Sequence, residues 1–388
     1  QAFEKMVDYI WSQPTTHLAV KDEKAWKQLY QQHGLEFDLT VKDSKTLYYT
    51  HRKGEHFDLY FVYNDSQQRD VFDGTFNVTG KIPELWNART GEITPIATYQ
   101  TQGKNTRVTF RLDAEASTFV VFRKDSAGQP KVSPELTYQH DVTAVYQAST
   151  DKSNHIVLAG AHSQFSQGVE LNVDGKNKVI KLTAEQTVNS PKVTIDGAWQ
   201  VTFDKQYGFD QSVNFTQLIN WKDHTNPEIQ HYSGIADYQT RFNLPSDWLQ
   251  QGNQQVLLDL GEVHDTAQVF VNGKLAGVTW LKPARLNITD LVNSGENHLT
   301  VKVSNTWTNR LIGDEQYPDI SGVFKANGKY ADNMPDWYKQ NKPLPNAGKK
   351  GHRMTMTTFQ YVKKDDPLLD AGLVGPVTLS LSNKVMVK

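Results

Sequence analysis

Tryptophan residues with charged neighbours are the part of the sequence with the clearest chemical potential. Trp280, Trp307 and Trp221 offer indole faces that can stack on the apolar face of a sugar ring. Arg310 and Asp314 follow Trp307 closely, so they could bind the hydroxyl groups of the same sugar. The alternative for each indole is a place in the core, because Trp is highly buried on average. These five residues are the candidate carbohydrate contacts, with core packing as the competing interpretation.

Two carboxylates beside a histidine are the best candidates for acid–base chemistry. Glu262 and Asp265 flank His264 in an expected loop, and glycoside hydrolysis needs two carboxylates about 5–9 Å apart. A loop whose acidic side chains only bond their own backbone is the favoured alternative. The sequence lacks the motifs of phosphate-binding loops, dinucleotide folds, zinc peptidases and nucleophile elbows. We therefore assign no catalytic residue and no metal ligand.

Composition narrows the broad class further. The net charge of −2 gives no general attraction to nucleic acid or to an anionic membrane. The absence of cysteine excludes disulfides and thiolate chemistry. No apolar run reaches the roughly eighteen residues that a membrane-spanning helix needs. The sequence begins with neither Met nor an apolar signal segment, so we expect a mature or truncated product.

Most of the sequence around these candidate residues shows the alternating pattern of β-strands. Apolar residues alternate with polar ones through residues 255–305 and run into Asn272–Gly273, and a second such turn is Asp174–Gly175. Asn-Gly and Asp-Gly between alternating segments predict hairpins, because a type I′ turn needs positive φ at both central residues. We therefore predict an all-β chain of two antiparallel β-sandwich domains, of the jelly-roll, galactose-binding-like class.

A short N-terminal segment is the only part with helical periodicity. Phe3, Met6 and Ile10 form an apolar stripe, and a second helix is expected at 24–33 with Gly34 as its C-terminal cap. The predicted organisation is a helical connector or barrel remnant at 1–45, a β-sandwich at 46–124, a linker at 124–134, a connecting β-layer at 135–195 and a jelly roll at 196–388. The aromatic, proline-rich region between 305 and 374 shows little periodicity, which is typical of functional or docked segments.

Two sets of segments carry a family resemblance. The first resembles the sugar-binding jelly roll attached to family 2-like glycoside hydrolases and consists of 197–203 (GAWQVTF), 221–224 (WKDH), 231–238 (HYSGIADY), 260–263 (LGEV) and 269–273 (VFVNG). The second resembles the C-terminal region of the α-L-rhamnosidases of glycoside hydrolase family 106 and consists of 50–52 (THR), 83–87 (PELWN), 303–314 (VSNTWTNRLIGD), 366–369 (DPLL) and 372–377 (GLVGPV). Together they cover roughly residues 46–380.

The resemblance implies the C-terminal accessory β-sandwich portion of an α-L-rhamnosidase-like glycoside hydrolase. Such enzymes place their catalytic carboxylates in an upstream (α/β)8 barrel of about 250 residues or more. Only about 45 residues precede the first sandwich here, so no catalytic residue is carried over and the chain is expected to be inactive alone.

The resemblance also implies partners and a setting. The expected partners are carbohydrate, including rhamnose-containing polysaccharide, and the barrel of the same polypeptide. The expected location is the periplasm or the exterior of a bacterium, and a structural Ca²⁺ held partly by backbone carbonyls would suit a jelly roll. A free-standing carbohydrate-binding module and a purely structural domain stay open as alternatives.

Overall fold

The computed structural model describes residues 2–13, 23–127, 143–148, 154–160, 168–181, 192–204, 209, 211–249, 254–319, 321–325, 329–349, 351–357 and 361–387. Antiparallel strands are the main regular structure in these ranges, and helices are short and few. The all-β sandwich class predicted from the sequence is therefore confirmed.

Helix α1 (Ala2–Ser12) carries the predicted apolar stripe but buries none of its residues. Phe3, Met6 and Tyr9 are 78%, 63% and 66% exposed, and Trp11 is 53% exposed. Because burial of apolar surface stabilises a helix only where that surface leaves water, α1 gains little from the rest of the described chain.

Helix α2 (Glu23–Gln32) ends as predicted. Gly34 has a φ of 61°, in the left-handed region, and the Leu35 amide donates to the Tyr30 carbonyl over 2.9 Å. The predicted helical segment 1–45 is wrong in its last part, because β1 (Leu39–Val41) is a strand that pairs with the first sandwich.

The first sandwich packs two sheets face to face. Their strand orders are β1-β4-β8-β7 and β2-β3-β9-β5-β6, and aromatic rings fill the core between them. Strand β3 shows why the period-two pattern works, because its residues alternate strictly between buried and half-buried positions. The further strands are β2 (Leu47–Lys53), β3 (Asp58–Asn64), β4 (Asp70–Phe76), β5 (Lys81–Trp86), β6 (Ile93–Pro95), β7 (Tyr99–Gln102), β8 (Asn105–Leu112) and β9 (Ser117–Asp125).

Glu84 is a buried carboxylate in this sandwich with three cationic or polar partners. Its Oε2 accepts from Trp86 Nε1 at 2.9 Å and from Arg123 Nε at 2.7 Å, and Lys124 Nζ lies 2.9 Å from Oε1. Burial alone would raise the pKa of Glu84, but the bonds from Arg123, Lys124 and Trp86 outweigh it and hold the pKa below its ordinary value.

The second sandwich contains the predicted jelly roll. Its two main sheets have the orders β16-β15-β17-β23-β20-β21 and β10-β11-β25-β18-β22, with β14 also pairing with β25. One continuous apolar core lies between them. Its strands are β10 (Thr143–Ala148), β11 (Asn154–Gly160), β12 (Val169–Val173), β13 (Lys176–Ile180), β14 (Val193–Thr194), β15 (Trp199–Phe203), β16 (Ser212–Phe215), β17 (Ile235–Leu244), β18 (Gln254–Asp259), β19 (Glu262–His264), β20 (Thr266–Val271), β21 (Lys274–Thr279), β22 (Arg285–Asn287), β23 (Gly295–Ser304), β24 (Gly372–Gly375) and β25 (Thr378–Val387).

Helices in this sandwich are confined to connections. They are α3 (Pro227–Gln230), α4 (Thr308–Asp314), α5 (Asp336–Lys339) and the 3₁₀ turns Trp221–Asp223 and Thr289–Leu291. In the described part of 305–374, the chain forms the two short helices α4 and α5 and otherwise runs mainly as turns and irregular chain.

Both predicted hairpin turns have the expected backbone. Asn272 and Gly273 have φ values of 51° and 77° between β20 and β21, and Asp174 and Gly175 have 48° and 81° between β12 and β13. Part of the segment 135–195 pairs directly with the jelly roll, since β11 runs antiparallel to β25. Of the predicted linker, residues 128–134 lie outside the described residues.

An apolar cluster and a pair of hydrogen bonds are among the contacts that join the sandwiches in the described ranges. Ala97 of the first sandwich is fully buried in a small apolar cluster with β11, β12 and Val387. Arg89 Nη1 donates to the carbonyl oxygens of Leu281 and Pro283 at 3.0 and 3.2 Å. The domains thus meet through the apolar cluster around Ala97 and the hydrogen bonds of Arg89, and a cleft opens beside these hydrogen bonds.

Candidate functional site

Trp280 lies at the mouth of the cleft between the sandwiches. It follows β21 directly, and its side chain is 55% exposed. The segment that it begins is held from the other side by the two hydrogen bonds of Arg89. The indole is therefore fixed at a domain junction, which is a preferred place for ligand sites.

The cleft has the size and the mixed lining of a small ligand site. Its volume is about 320 Å³, and Leu85 and Leu281 contribute apolar surface. Glu92, Thr94 and Ser117 also line it, and within the described ranges their side chains make no hydrogen bond. An aromatic ring beside unpaired hydroxyl and carboxylate groups matches the two needs of a sugar, which are an apolar stacking face and polar partners.

Trp307 lies on the second sandwich, immediately before α4, and is 49% exposed. The chain at this point is anchored by Asp265, whose Oδ2 accepts from the Thr306 amide over 3.0 Å. Leu369 is close to α4, because its amide donates to the Asn309 side chain, and it is 48% exposed. Trp307 therefore has surface available for a ligand, on a different part of the molecule from the cleft lining.

Asp314 and Arg310 do not act as predicted. Asp314 is 1% exposed, and its Oδ2 accepts from the Met354 amide, the Thr355 amide and Thr355 Oγ1 at 3.0, 2.7 and 2.6 Å. The Arg310 side chain is 12% exposed, with Nη1 3.7 Å from Asp314 Oδ1, and burial lowers the pKa of Arg310. Asp314 thus holds the 351–357 segment against α4, and Arg310 is buried beside it, which corrects the assignment of both side chains as sugar-hydroxyl contacts.

Trp221 belongs to the core, as the competing interpretation held. Its side chain is fully buried against Phe203 and Tyr232, and its Nε1 donates to Tyr238 Oη at 2.5 Å. Burial also raises the pKa of Tyr238. A side chain with no exposed surface cannot stack on a sugar, so its assignment as a carbohydrate contact is wrong.

A cluster of charged side chains near the cleft was not predicted. Lys222 Nζ lies 2.5 Å from Asp370 Oδ1, and this contact raises the pKa of Lys222 and lowers that of Asp370. Glu262 Oε1 lies 3.3 Å from His264 Nε2 and 3.9 Å from Lys282 Nζ. The cluster joins residues that are about 150 positions apart, so no local signal in the sequence identifies it.

The acid–base candidates Glu262 and Asp265 both have hydrogen-bond or ion-pair partners in the structure. Glu262 is paired with His264, and Asp265 caps the Thr306 amide. The two carboxylates therefore have different partners, a histidine side chain and a backbone amide 41 residues away, rather than the backbone of their own loop as the favoured alternative held.

The structure bears on two further features, a metal site and a membrane-spanning helix. Across the described ranges, no three His, Asp or Glu side chains are placed to hold a metal ion. A Ca²⁺ site built from backbone carbonyls stays a prediction. None of the helices in the part of the chain that the structure describes is long and apolar enough to cross a membrane.

Comparison with known families gives this architecture a name. Residues 1–101 match the family model described as alpha-L-rhamnosidase, and residues 169–332 match the sugar binding domain of glycosyl hydrolases family 2. A rhamnosidase structure from Novosphingobium sp. PP1Y aligns with 98% of this chain at a TM-score of 0.63 and 26% identity. The chain consists of glycoside hydrolase-related regions, a family 106 rhamnosidase region and a family 2 sugar-binding domain.

Sequence relatives agree with that assignment. A Formosa agariphila protein provisionally named beta-glucuronidase is 33% identical over 284 residues, which is 72% of this chain and 22% of the relative. A beta-galactosidase of Clostridium acetobutylicum is 28% identical over 130 residues, which is 32% of this chain and 14% of the relative. The chain covers 29% of the Novosphingobium rhamnosidase. It thus spans less than a third of the length of each of these proteins.

Proposed function

We propose that this chain is the accessory β-sandwich portion of an α-L-rhamnosidase-like glycoside hydrolase and contacts carbohydrate at the cleft beside Trp280. The observation that carries the carbohydrate contact is the half-exposed indole at the domain junction, beside the unpaired side chains of Glu92, Thr94 and Ser117. The match to a sugar-binding domain supports the same class of ligand.

The accessory role has separate support. Helix α1 presents large apolar side chains that the rest of the described chain does not cover. This chain also covers only 22% of the Formosa relative and 29% of the Novosphingobium rhamnosidase. A catalytic barrel on the same polypeptide would cover the apolar face of α1. The proposed setting is the bacterial periplasm or exterior, where polysaccharide substrates occur.

Calorimetric titration with a rhamnose-containing polysaccharide tests the carbohydrate contact. Trp280→Ala removes the stacking face, and an aromatic stack is worth about 0.5–1.5 kcal/mol, so affinity should weaken about two- to tenfold. Trp11→Ala is the matched control, because that indole is 53% exposed on α1 and does not line the cleft. Equal affinities of wild type and Trp280→Ala would contradict the cleft as the contact.

Hydrolysis of an aryl rhamnoside tests the accessory role. The purified chain should show no turnover, because its Glu262 and Asp265 carboxylates are committed to His264 and to the Thr306 amide. Robust turnover that Glu262→Gln abolishes would overturn this role.

A free-standing carbohydrate-binding module is the second candidate. The half-exposed Trp280 and Trp307 favour it, because both offer stacking surface without any barrel. The intact mass of the native gene product separates the candidates: a mass far above 44.0 kDa fits the accessory role, and a mass near that value fits the free-standing module.

A further inference from the structure

A second cavity lies on the first sandwich, where α2 meets the edge of a sheet. It has a volume of about 390 Å³ and is lined by Tyr30, Leu35, Glu36, Phe37, Thr40, Thr75 and Asn105. None of these residues lines the cleft beside Trp280. The volume is in the range of small-ligand sites.

One wall of this cavity is aromatic and partly exposed. The rings of Tyr30 and Phe37 stack with centroids 4.7 Å apart and planes at 5°. Phe37 is 36% exposed and Leu35 is 56% exposed. The wall is fixed at both ends, because the Leu35 amide closes α2 and the next residues lead into β1. A rigid ring surface of this kind suits the apolar face of a pyranose.

The floor supplies neutral polar groups. Thr40 and Thr75 are cross-strand partners in β1 and β4, and Asn105 begins β8. Within the described residues, none of these three side chains makes a hydrogen bond, so two hydroxyls and one amide are left to serve a ligand.

The charge of the cavity favours a neutral ligand. Glu36 is the one ionisable carboxylate or cation among its lining residues, and its Oε1 lies 2.5 Å from Lys104 Nζ. The cavity therefore carries no uncompensated charge for an anionic group. Addition of a peptide strand is disfavoured, because the edge strand β1 is three residues long and offers few backbone partners.

We propose that this cavity, formed by the Tyr30–Phe37 stack over Thr40, Thr75 and Asn105, is a second glycan-binding site that takes a neutral pyranose. The choice of a sugar rests on the proposed function of the cleft, whereas the location does not. Asn105 and Leu112 begin and end β8, and Leu112 lines the cleft. Measured along β8 at about 3.4 Å per residue, the two sites lie roughly 24 Å apart, so they are separate sites.

Ligand-observed NMR titration with methyl α-L-rhamnopyranoside tests the proposal in a Trp280→Ala background, which removes the stacking ring of the cleft. Thr75→Val keeps the shape of a β-branched strand residue and removes one hydroxyl, and Phe37→Ala removes the stacking ring. Each should weaken the remaining affinity about fivefold or more. Thr50→Val is the control, because Thr50 is a strand threonine in the other sheet of the same sandwich, outside the cavity.

The outcomes separate the two proposals. Affinity in the Trp280→Ala background that neither Thr75→Val nor Phe37→Ala lowers, with native circular dichroism, overturns the second site. Complete loss of binding in Trp280→Ala alone also overturns it, while supporting the cleft. Binding that survives Trp280→Ala unchanged but falls with Thr75→Val supports the second site and contradicts the cleft.

Discussion

Replacing Asp314 with Asn should loosen the segment that holds α4 in place. In the native chain one carboxylate oxygen accepts three hydrogen bonds, from the Met354 amide, the Thr355 amide and Thr355 Oγ1. The nearest cation, Arg310, is 3.7 Å from the other oxygen, beyond hydrogen-bond distance. The three hydrogen bonds therefore carry more of the stability than the ion pair does.

The magnitude follows from what asparagine keeps and loses at this position. Its carbonyl oxygen can still accept the three bonds from Met354 and Thr355, but as a neutral acceptor, which costs each bond about 0.5–1 kcal/mol of charge assistance. Its neutral amide group then faces the buried Arg310 guanidinium, which loses its nearest counter-charge. We expect Asp314→Asn to lower the free energy of unfolding by about 2–4 kcal/mol, and Thr355→Val by about 1 kcal/mol.

Urea unfolding of the variants measures the global effect, and hydrogen exchange measures the local one. The Met354 and Thr355 amides bond directly to Asp314, so their protection should fall first. Asp365→Asn is the matched control, because Asp365 is exposed in the same region. If Asp314→Asn matched Asp365→Asn within about 0.5 kcal/mol and protection were unchanged, the Asp314 network would not hold this segment.

Two further predictions concern the sandwich cores. Because the pKa of Glu84 is held below its ordinary value, its stabilising contribution is present above about pH 4.3 and is lost as the pH falls through the folded-state pKa. Glu84→Gln should therefore lower the free energy of unfolding at pH 7 and flatten the loss of stability toward acid pH, which urea midpoints from pH 3 to 7 would measure. An unchanged loss of stability toward acid pH would contradict the assignment. Trp221→Leu empties part of a fully buried site and removes the indole donor to Tyr238 Oη, which keeps only the longer bond from the Leu373 amide. The free energy of unfolding should therefore fall by about 3 kcal/mol or more, and a loss as small as that of the exposed control Trp11→Leu would refute the place of Trp221 in the core.

Strands and turns could be predicted because their causes are local. Asn272–Gly273 takes positive φ at both residues wherever it lies between alternating strands. Alternation in 58–64 gives one buried face whatever partner covers it. β1 was missed because Leu39–Val41 is too short to show a period and is a strand only through its pairing with β4.

The site could be predicted only in part, because exposure is decided by distant partners. Trp221 and Trp280 are chemically identical in the sequence, yet one is covered by strands from across the jelly roll and the other lies at a domain edge. Asp314 was predicted as a ligand contact because its true partner, Thr355, lies 41 residues away in the sequence and gives no local sign of the bond. Nothing near Asp314 in the sequence signals that bond.

If the cleft binds carbohydrate as proposed, recognition belongs to both sandwiches and not to the family 2 domain alone. The family 2 sugar-binding domain contributes Trp280 and Leu281, but Glu92, Thr94 and Ser117 come from the first sandwich. Arg89 fixes the relative position of the two halves through the 281 and 283 carbonyls. A ligand that needs both the stacking ring and the polar groups therefore binds to the pair of domains, and neither sandwich alone presents a complete site.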